Sequence, residues 1–273
     1  MFKTHSIYNA EIPLIMGILN VTPDSFSDGA KYNQFDKALA HAEYMLAEGA
    51  DIIDIGGEST RPGAAEVAVA EEIERVVPLI ERVKSLGARV SVDTSKPEVM
   101  LAAADAGVDM INDVRALQSP GALAAAAACQ LPVCLMHMQG QPRTMQANPQ
   151  YADVVEEVRH FLIERIHACE KAGIASRLLS IDPGFGFGKT LTHNIALLNH
   201  LSAFSQLGVP VLAGMSRKSM LGQITGREVH DRMPASLAVA LMAMQQGAKI
   251  IRVHDVAETA DVRKVFIACR KEQ

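Results

Sequence analysis

A barrel of eight parallel strands, each followed by helix, is the fold the sequence predicts, on three observations. Short β-branched runs alternate eight times with stretches of helical periodicity. The runs are apolar almost from end to end, as in strands covered on both faces. The whole alternation fits within 273 residues without a linker-like change in composition, which suits one (β/α)8 domain spanning 1–273. A doubly wound open sheet is the competing arrangement.

The elements follow in order. LIMGILN (14–20) is the first strand, and the polar stretch VTPDSFSDGA (21–30) leaves it. FDKALAHAEYMLAEG (35–49) has helical spacing, and ADIIDIG (50–56) is the second strand, running into GGESTRPG (56–63). The amphipathic stretch VAEEIERVVPLIERVKSLG (69–87) leads to ARVSVD (88–93), and DMIND (109–113) and PVCLMH (132–137) are the next two strands. A further helix, DVVEEVRHFLIERIHACEKAG (153–173), precedes LLSID (178–182), after which come PVLAGMS (210–216) and KIIRVHD (249–255). Gly49, Gly87, Gly107, Gly173, Gly208 and Gly247 stand a few residues before strands, where a left-handed residue ends a helix and turns the chain back.

Bulk composition excludes several classes of function. Hydrophobic residues make up 49% of the chain and charged ones 21%, enough for an ample core. The formal net charge is -5 and Lys and Arg are scattered, so neither nucleic acid nor anionic lipid is an expected partner. No apolar stretch is long enough to suggest a signal peptide or a membrane span, and a cytoplasmic location is expected. Cys129, Cys134, Cys169 and Cys269 lack metal-like spacing and are read as buried free thiols.

The chemistry gathers at the carboxyl ends of the strands. Asn20, the loop after Asp54, Asp93, Asn112 with Asp113, His137, Asp182, Ser216 to Ser219, and Arg252 with His254 each end an apolar run. In a barrel these ends meet on one rim, where such folds place their sites. SRKS (216–219), TRP (60–62) and the alternating RVH (252–254) suggest a phosphate or carboxylate ligand. Asp93 and Asp182 are carboxylates at buried strand ends, costly unless something meets them, although either could cap the following helix. With Asn112 they match a flat heterocycle bearing amino and lactam edges. The glycines of DPGFGFGK (182–189) fit neither a P-loop nor a dinucleotide fingerprint. Phe185 and Phe187 either wall a planar ligand or simply pack, Lys189 is read as solvated, and His137 as a hydrogen-bonding rather than a metal-binding residue.

Taken together, GILNVTPDSFSDG, GGESTRPG, SVDTSKPEV, INDV, LMHMQG, DPGFGFGK, GMSRKS and IRVHDV resemble the dihydropteroate synthase family, in order and across almost the whole chain. Ala30 departs from the second glycine that often follows SDG there, which bears on that loop alone. The resemblance implies a TIM barrel and a homodimer. It implies a transferase that joins 6-hydroxymethyl-7,8-dihydropterin diphosphate to 4-aminobenzoate and releases pyrophosphate. It further implies that Asp93, Asn112, Asp182 and Lys218 hold the pterin, with Met136, Gly214 and Phe187 lining the slot and Arg252 over it. Asn20, through Mg2+, would handle the diphosphate with Arg252 and His254. Phe26, Thr60, Arg61, Pro62 and Ser219 would form the aminobenzoate site, where sulfonamides compete. Arg61, Lys218, Arg252, His254 and Asn20 are the residues expected to act on the chemistry, with residues 21–30 as a lid.

Two rival readings remain at this level. A methyltransferase domain using a methylated reduced folate has a similar barrel and pterin slot, but it needs neither the TRP loop nor Phe26. A regulatory pterin-binding barrel would be expected to lack some of Asn20, Arg61, Lys218, Arg252 and His254, and all five are present.

Overall fold

The computed structural model describes residues 12–21, 31–59, 66–141 and 144–270. Among the described residues there are eight strands: β1 (Leu14–Asn20), β2 (Ile52–Gly56), β3 (Val90–Asp93), β4 (Met110–Asp113), β5 (Val133–Met136), β6 (Leu179–Asp182), β7 (Leu212–Ala213) and β8 (Ile250–Val253). All neighbours are parallel, in the order β6-β5-β4-β3-β2-β1-β8-β7. An Ile181–Val211 bridge joins the two ends of this sheet and closes the predicted (β/α)8 barrel.

The helices are α1 (Lys31–Ala47), α2 (Val69–Ser85), α3 (Pro97–Asp105), α4 (Ala122–Cys129), α5 (Val154–Lys171), α6 (Leu191–Asn199), α7 (Leu201–Ser205), α8 (Ser219–Thr225), α9 (Met233–Gln245) and α10 (Val256–Arg270). The eightfold count holds for strands, whereas β6 and β7 are each followed by two helices. None of the described helices is long and apolar enough to cross a membrane. Local chemistry sets several starts. Pro97 sits in the first turn of α3, where its missing N–H costs nothing, and Asp153 caps α5 by accepting from the amides of Val155 and Glu156.

Side-chain alternation along the strands divides the molecule into an outer and an inner core. One set of alternate positions, Ile15, Ile53, Val92, Ile111, Leu135, Ile181 and Ile251 among them, joins the helices in one large buried cluster. The other set turns inward, where Leu14, Met16, Ile52, Met110, Cys134, Leu212 and Ile250 form a separate apolar plug. Two residues further along the same faces stand Asp54, Asn112 and Arg252, with Asp93 and Asp182 at the same height on β3 and β6. The register confirms that level, pairing Asp93 with Asn112 and Met136 with Asp182. The plug therefore forms the floor of a polar cavity.

At the opposite end of the barrel the acids are structural. Asp51 Oδ2 accepts the Ile15 amide at 2.8 Å and pairs with Arg263, and Asp109 Oδ2 accepts from the Val90 amide at 2.8 Å and from Lys84 at 2.6 Å.

The expected strand at 210–216 shrinks to two residues. Beyond Ala213 the chain leaves the ladder at Gly214 and turns through Arg217, whose φ is +57°. The thiols also divide more than expected: Cys134 and Cys169 are buried, Cys129 is half-buried and Cys269 is exposed.

Candidate active site

The rim chemistry is organised around Arg252, which rises from β8 into the centre of the barrel mouth. Its Nε donates to Asp54 Oδ2 at 2.6 Å, and its Nη2 donates to Asp93 Oδ2 at 2.8 Å. Asn112 Nδ2 also donates to Asp54 Oδ2, at 3.1 Å. One guanidinium and one amide thus tie β2, β3, β4 and β8 together. Asp54 is fully buried, and its second oxygen, Oδ1, has no partner among the described residues.

The opposite wall belongs to β6 and β7. Asp182 Oδ1 accepts the Gly184 amide at 2.7 Å. A methyl group built on Gly214 would lie 3.7 Å from Arg252 Cβ and 3.9 Å from Asp182 Oδ2, so the missing side chain keeps a gap between these two charges. On β2, a methyl group at Gly56 would similarly lie 3.4 Å from Asn20 Oδ1 and 3.9 Å from Asp93 Oδ2. Asn20, Asp93, Arg252 and Asp182 thus face one cavity. Beside it a cleft of about 410 Å³ opens between the β2, β3 and β4 tips, lined by Asp93, Thr94, Glu58, Lys96, Arg115 and Gln141 among others.

Lys218 enters from the start of α8. Its ammonium donates to the Phe185 carbonyl and lies 4.6 Å from the centroid of the Phe187 ring, a cation–π contact. Phe185 itself is completely buried and packs in the outer core, while Phe187 is half-buried beneath Lys218. Ser219, the first residue of α8, is exposed. His254 lies past the end of β8, with its amide 3.2 Å and its Nδ1 3.0 Å from Ser216 Oγ. Arg217 and Asp255 form a two-point ion pair that ties this strand end to the SRKS turn. Met136 lines the β5 side and is nearly buried.

Burial dominates the electrostatics. It pushes the Asp93 carboxyl up to about 7 against the pull of Arg252, with Asp54 adding to the rise. Asp182 is also raised by burial, although Lys218 and the Gly184 amide oppose it. Lys218 is lowered to about 8, again by burial first and despite Asp182. For Arg252 burial works against the charge, yet Asp54 and Asp93 outweigh it and its pKa stands above the ordinary arginine value.

Asp93, Asn112, Met136, Asp182, Phe187, Gly214, Lys218, Arg252, His254 and Asn20 all lie on this rim. Phe26, Thr60, Arg61 and Pro62 lie outside the described residues, as does the expected lid from residue 22 onward. Sequence reading missed Asp54, hidden inside an apolar strand, although a carboxylate flanked by isoleucines demands a buried cation. Lys189, expected in solvent, is 3% exposed. Its ammonium is drawn inward by carbonyl oxygens of its own glycine-rich loop.

Asn20 can offer a single amide oxygen to a cation, and no group of three His, Cys, Asp or Glu side chains among the described residues is arranged to hold a metal. A lone amide suits Mg2+, which keeps several waters and takes its other ligands from substrate phosphates.

The family described as "Pterin binding enzyme" matches residues 16–254. The dihydropteroate synthase of Escherichia coli K12 is 56% identical over 257 residues, 94% of this chain and 91% of that protein. The Yersinia pestis dihydropteroate synthase in a sulfonamide drug complex superposes with a TM-score of 0.91 at 54% identity, covering 95% of each chain. The Xanthomonas albilineans dihydropteroate synthase in complex with 7,8-dihydropteroate gives 0.88 at 52% identity, covering 95% of this chain and 94% of that one. Neither rival reading is needed, because family, fold and cavity agree: this chain belongs to the dihydropteroate synthases, transferases among the pterin-binding enzymes.

Proposed function

We propose that the cavity under Arg252 binds 6-hydroxymethyl-7,8-dihydropterin diphosphate and that 4-aminobenzoate displaces its diphosphate, giving 7,8-dihydropteroate and pyrophosphate. The observation that carries this reading is one pocket holding Asp93, Asn112 and Asp182 below a guanidinium already held by two acids. Asp182 and Asp93 accept from the N–H donors of the pterin ring, and Asn112 meets its lactam edge. Lys218 holds the ring against Phe187, with Met136 and the Gly214 gap completing the slot.

Arg252 spends Nε and Nη2 on Asp54 and Asp93, which leaves Nη1 for the diphosphate. His254 approaches the same group. A Mg2+ ion held by the Asn20 amide oxygen and the diphosphate would neutralise charge on the leaving group. As the C–O bond breaks, negative charge grows on pyrophosphate, and fixed cations placed there lower the barrier. The dihydropterin ring stabilises the cationic methylene that remains. The arylamine attacks that carbon and gives up one proton as the C–N bond forms, so no covalent enzyme intermediate and no dedicated base are required. Thr60, Arg61, Pro62, Ser219 and Phe26 are assigned to 4-aminobenzoate and to the sulfonamides that compete with it. A cytoplasmic homodimer is part of the same reading.

The test is a titration of the Asp182→Ala protein with 6-hydroxymethylpterin. Removing a buried charged acceptor is expected to weaken binding about tenfold or more. Wild-type affinity in that variant refutes the slot.

A further inference from the structure

We propose that Lys189 is a positioning residue of the pterin slot, whose buried ammonium gathers the carbonyls of His137, Gly184 and Phe187 and so fixes the loop that carries the slot's β6 side. The inference rests on the assignment of that slot to the pterin. Lys189 touches no substrate in this arrangement and acts through the backbone.

The ammonium lies 2.9 Å from the Gly184 carbonyl, 3.0 Å from that of Phe187, 3.4 Å from that of His137, and 2.9 Å from His137 Nδ1. Burial pushes the His137 imidazole far down, and the neighbouring ammonium adds to that, so the ring is neutral and Nδ1 accepts. All four contacts are thus to uncharged acceptors. Burying a cation this way is expensive, and a surface lysine would cost nothing. Convergent carbonyls from two separate loops are what the charge obtains in exchange.

The loop geometry agrees. Gly184 adopts φ +73° and lies so close to β5 that a methyl group there would stand 1.8 Å from the His137 carbonyl oxygen. Side chains are therefore absent where the two loops meet, and Lys189 fills the space between them. Three features of the slot depend on this fold. Asp182 is oriented by the Gly184 amide, Lys218 is held by the Phe185 carbonyl, and the Phe187 ring lies beneath the Lys218 ammonium. The Lys189 charge opposes the rise that burial imposes on the Asp182 carboxyl, while burial itself lowers the Lys189 ammonium well below the ordinary lysine value, with Asp182 opposing that fall.

The experiment compares wild type, Lys189→Met, His137→Phe and Asp182→Ala by calorimetric titration with 6-hydroxymethylpterin, together with KM for each substrate. Lys189→Met is expected to weaken pterin binding about tenfold and raise the KM of the pterin diphosphate in step, with the aminobenzoate KM changed less than about twofold. A general loss of fold integrity would not separate the two substrates in this way. His137→Phe keeps an aromatic ring, somewhat larger than imidazole, that can pack edge-on against Phe161, and removes the Nδ1 acceptor. About threefold weaker pterin binding is expected there, and this variant decides the matter if Lys189→Met does not fold. Unchanged pterin affinity in folded Lys189→Met, or in His137→Phe when that variant has to decide, overturns the role of Lys189. If Asp182→Ala has meanwhile lost affinity, the slot itself stands; if Asp182→Ala binds as wild type does, the slot assignment falls and the role of Lys189 with it.

Discussion

Lys96 shows how much stability one half-buried cation carries beside the site. Its ammonium donates to Glu58 Oε2 at 2.5 Å, Glu72 Oε2 at 2.5 Å and the Val67 carbonyl at 2.7 Å, joining β3, α2 and both ends of the segment after β2. The Glu72 side chain is 1% exposed and its other oxygen, Oε1, has no partner among the described residues. Replacing Lys96 with Met strands that carboxylate. Keeping it ionised without a partner costs about 3–5 kcal/mol by analogy with broken buried pairs. The alternative is protonation, which for an ordinary glutamic acid at pH 7 costs about 1.36 kcal/mol for each of roughly 2.7 pH units, or about 3.7 kcal/mol. The cheaper route sets the answer, so Lys96→Met is expected to lose about 3–4 kcal/mol at pH 7, or roughly 6–8 °C in Tm for a chain of this size. The loss should shrink toward about 1 kcal/mol at pH 5, where protonation is nearly free. Urea unfolding at both pH values measures this, with Lys96→Met/Glu72→Leu as the control that should recover at least half of the loss. A pH 7 loss below about 1 kcal/mol, or one that does not change with pH, refutes the reasoning.

Two further predictions follow from the cavity and the loops. The Asp93 carboxyl is raised to about 7 by burial, so its favourable contribution to folding is fully present only below the unfolded-state value and is lost as pH rises through about 7. The ligand-free protein should therefore become less stable across that range while pterin affinity rises, because a ring N–H prefers the ionised acceptor; calorimetry at pH 6 and 8 with release of a proton at pH 6 checks the sign. Gly87 and Gly184 both have positive φ, but a methyl group at Gly87 meets nothing within 4 Å, whereas at Gly184 it collides with backbone. Gly87→Ala is expected to cost about 1 kcal/mol and Gly184→Ala more than about 4 kcal/mol, read from equilibrium unfolding.

The fold was legible because parallel strands covered on both faces leave a strong local trace. LIMGILN begins and ends as β1 does, and the expected helix-ending glycines at 49, 87, 107, 173, 208 and 247 all adopt positive φ. The rim was legible for a related reason: a polar residue closing an apolar run breaks the pattern at the point where the strand leaves the core. What escaped was partnership over distance. Asp54 and Arg252 are 198 residues apart, and Arg217 and Asp255 are 38 apart, with no local signal joining either pair. Lys189 followed a glycine-rich stretch that reads as exposed loop. Only the folded backbone reveals three carbonyls turned toward its ammonium.

The two ends of the barrel separate binding acids from structural ones without reference to residue type. Asp51 and Asp109 lie at the amino ends of strands, and each uses one oxygen to hold both a strand amide and a side-chain cation. They tie neighbouring strands together. At the carboxyl ends, Asp54 is left with a buried oxygen that nothing meets, and Asp93 is held with its carboxyl raised despite an arginine 2.8 Å away. Such incompletely satisfied groups cost folding free energy, and a fold retains them where a ligand supplies what is lacking. Glu72 Oε1 is unpartnered as well, but its other oxygen is tied to Lys96 and it lines the neighbouring cleft without joining the hydrogen bonds around Arg252. Spare acceptor capacity alone therefore does not mark a binding group; the acids gathered on Arg252 combine it with a shared cation at the centre of the barrel mouth.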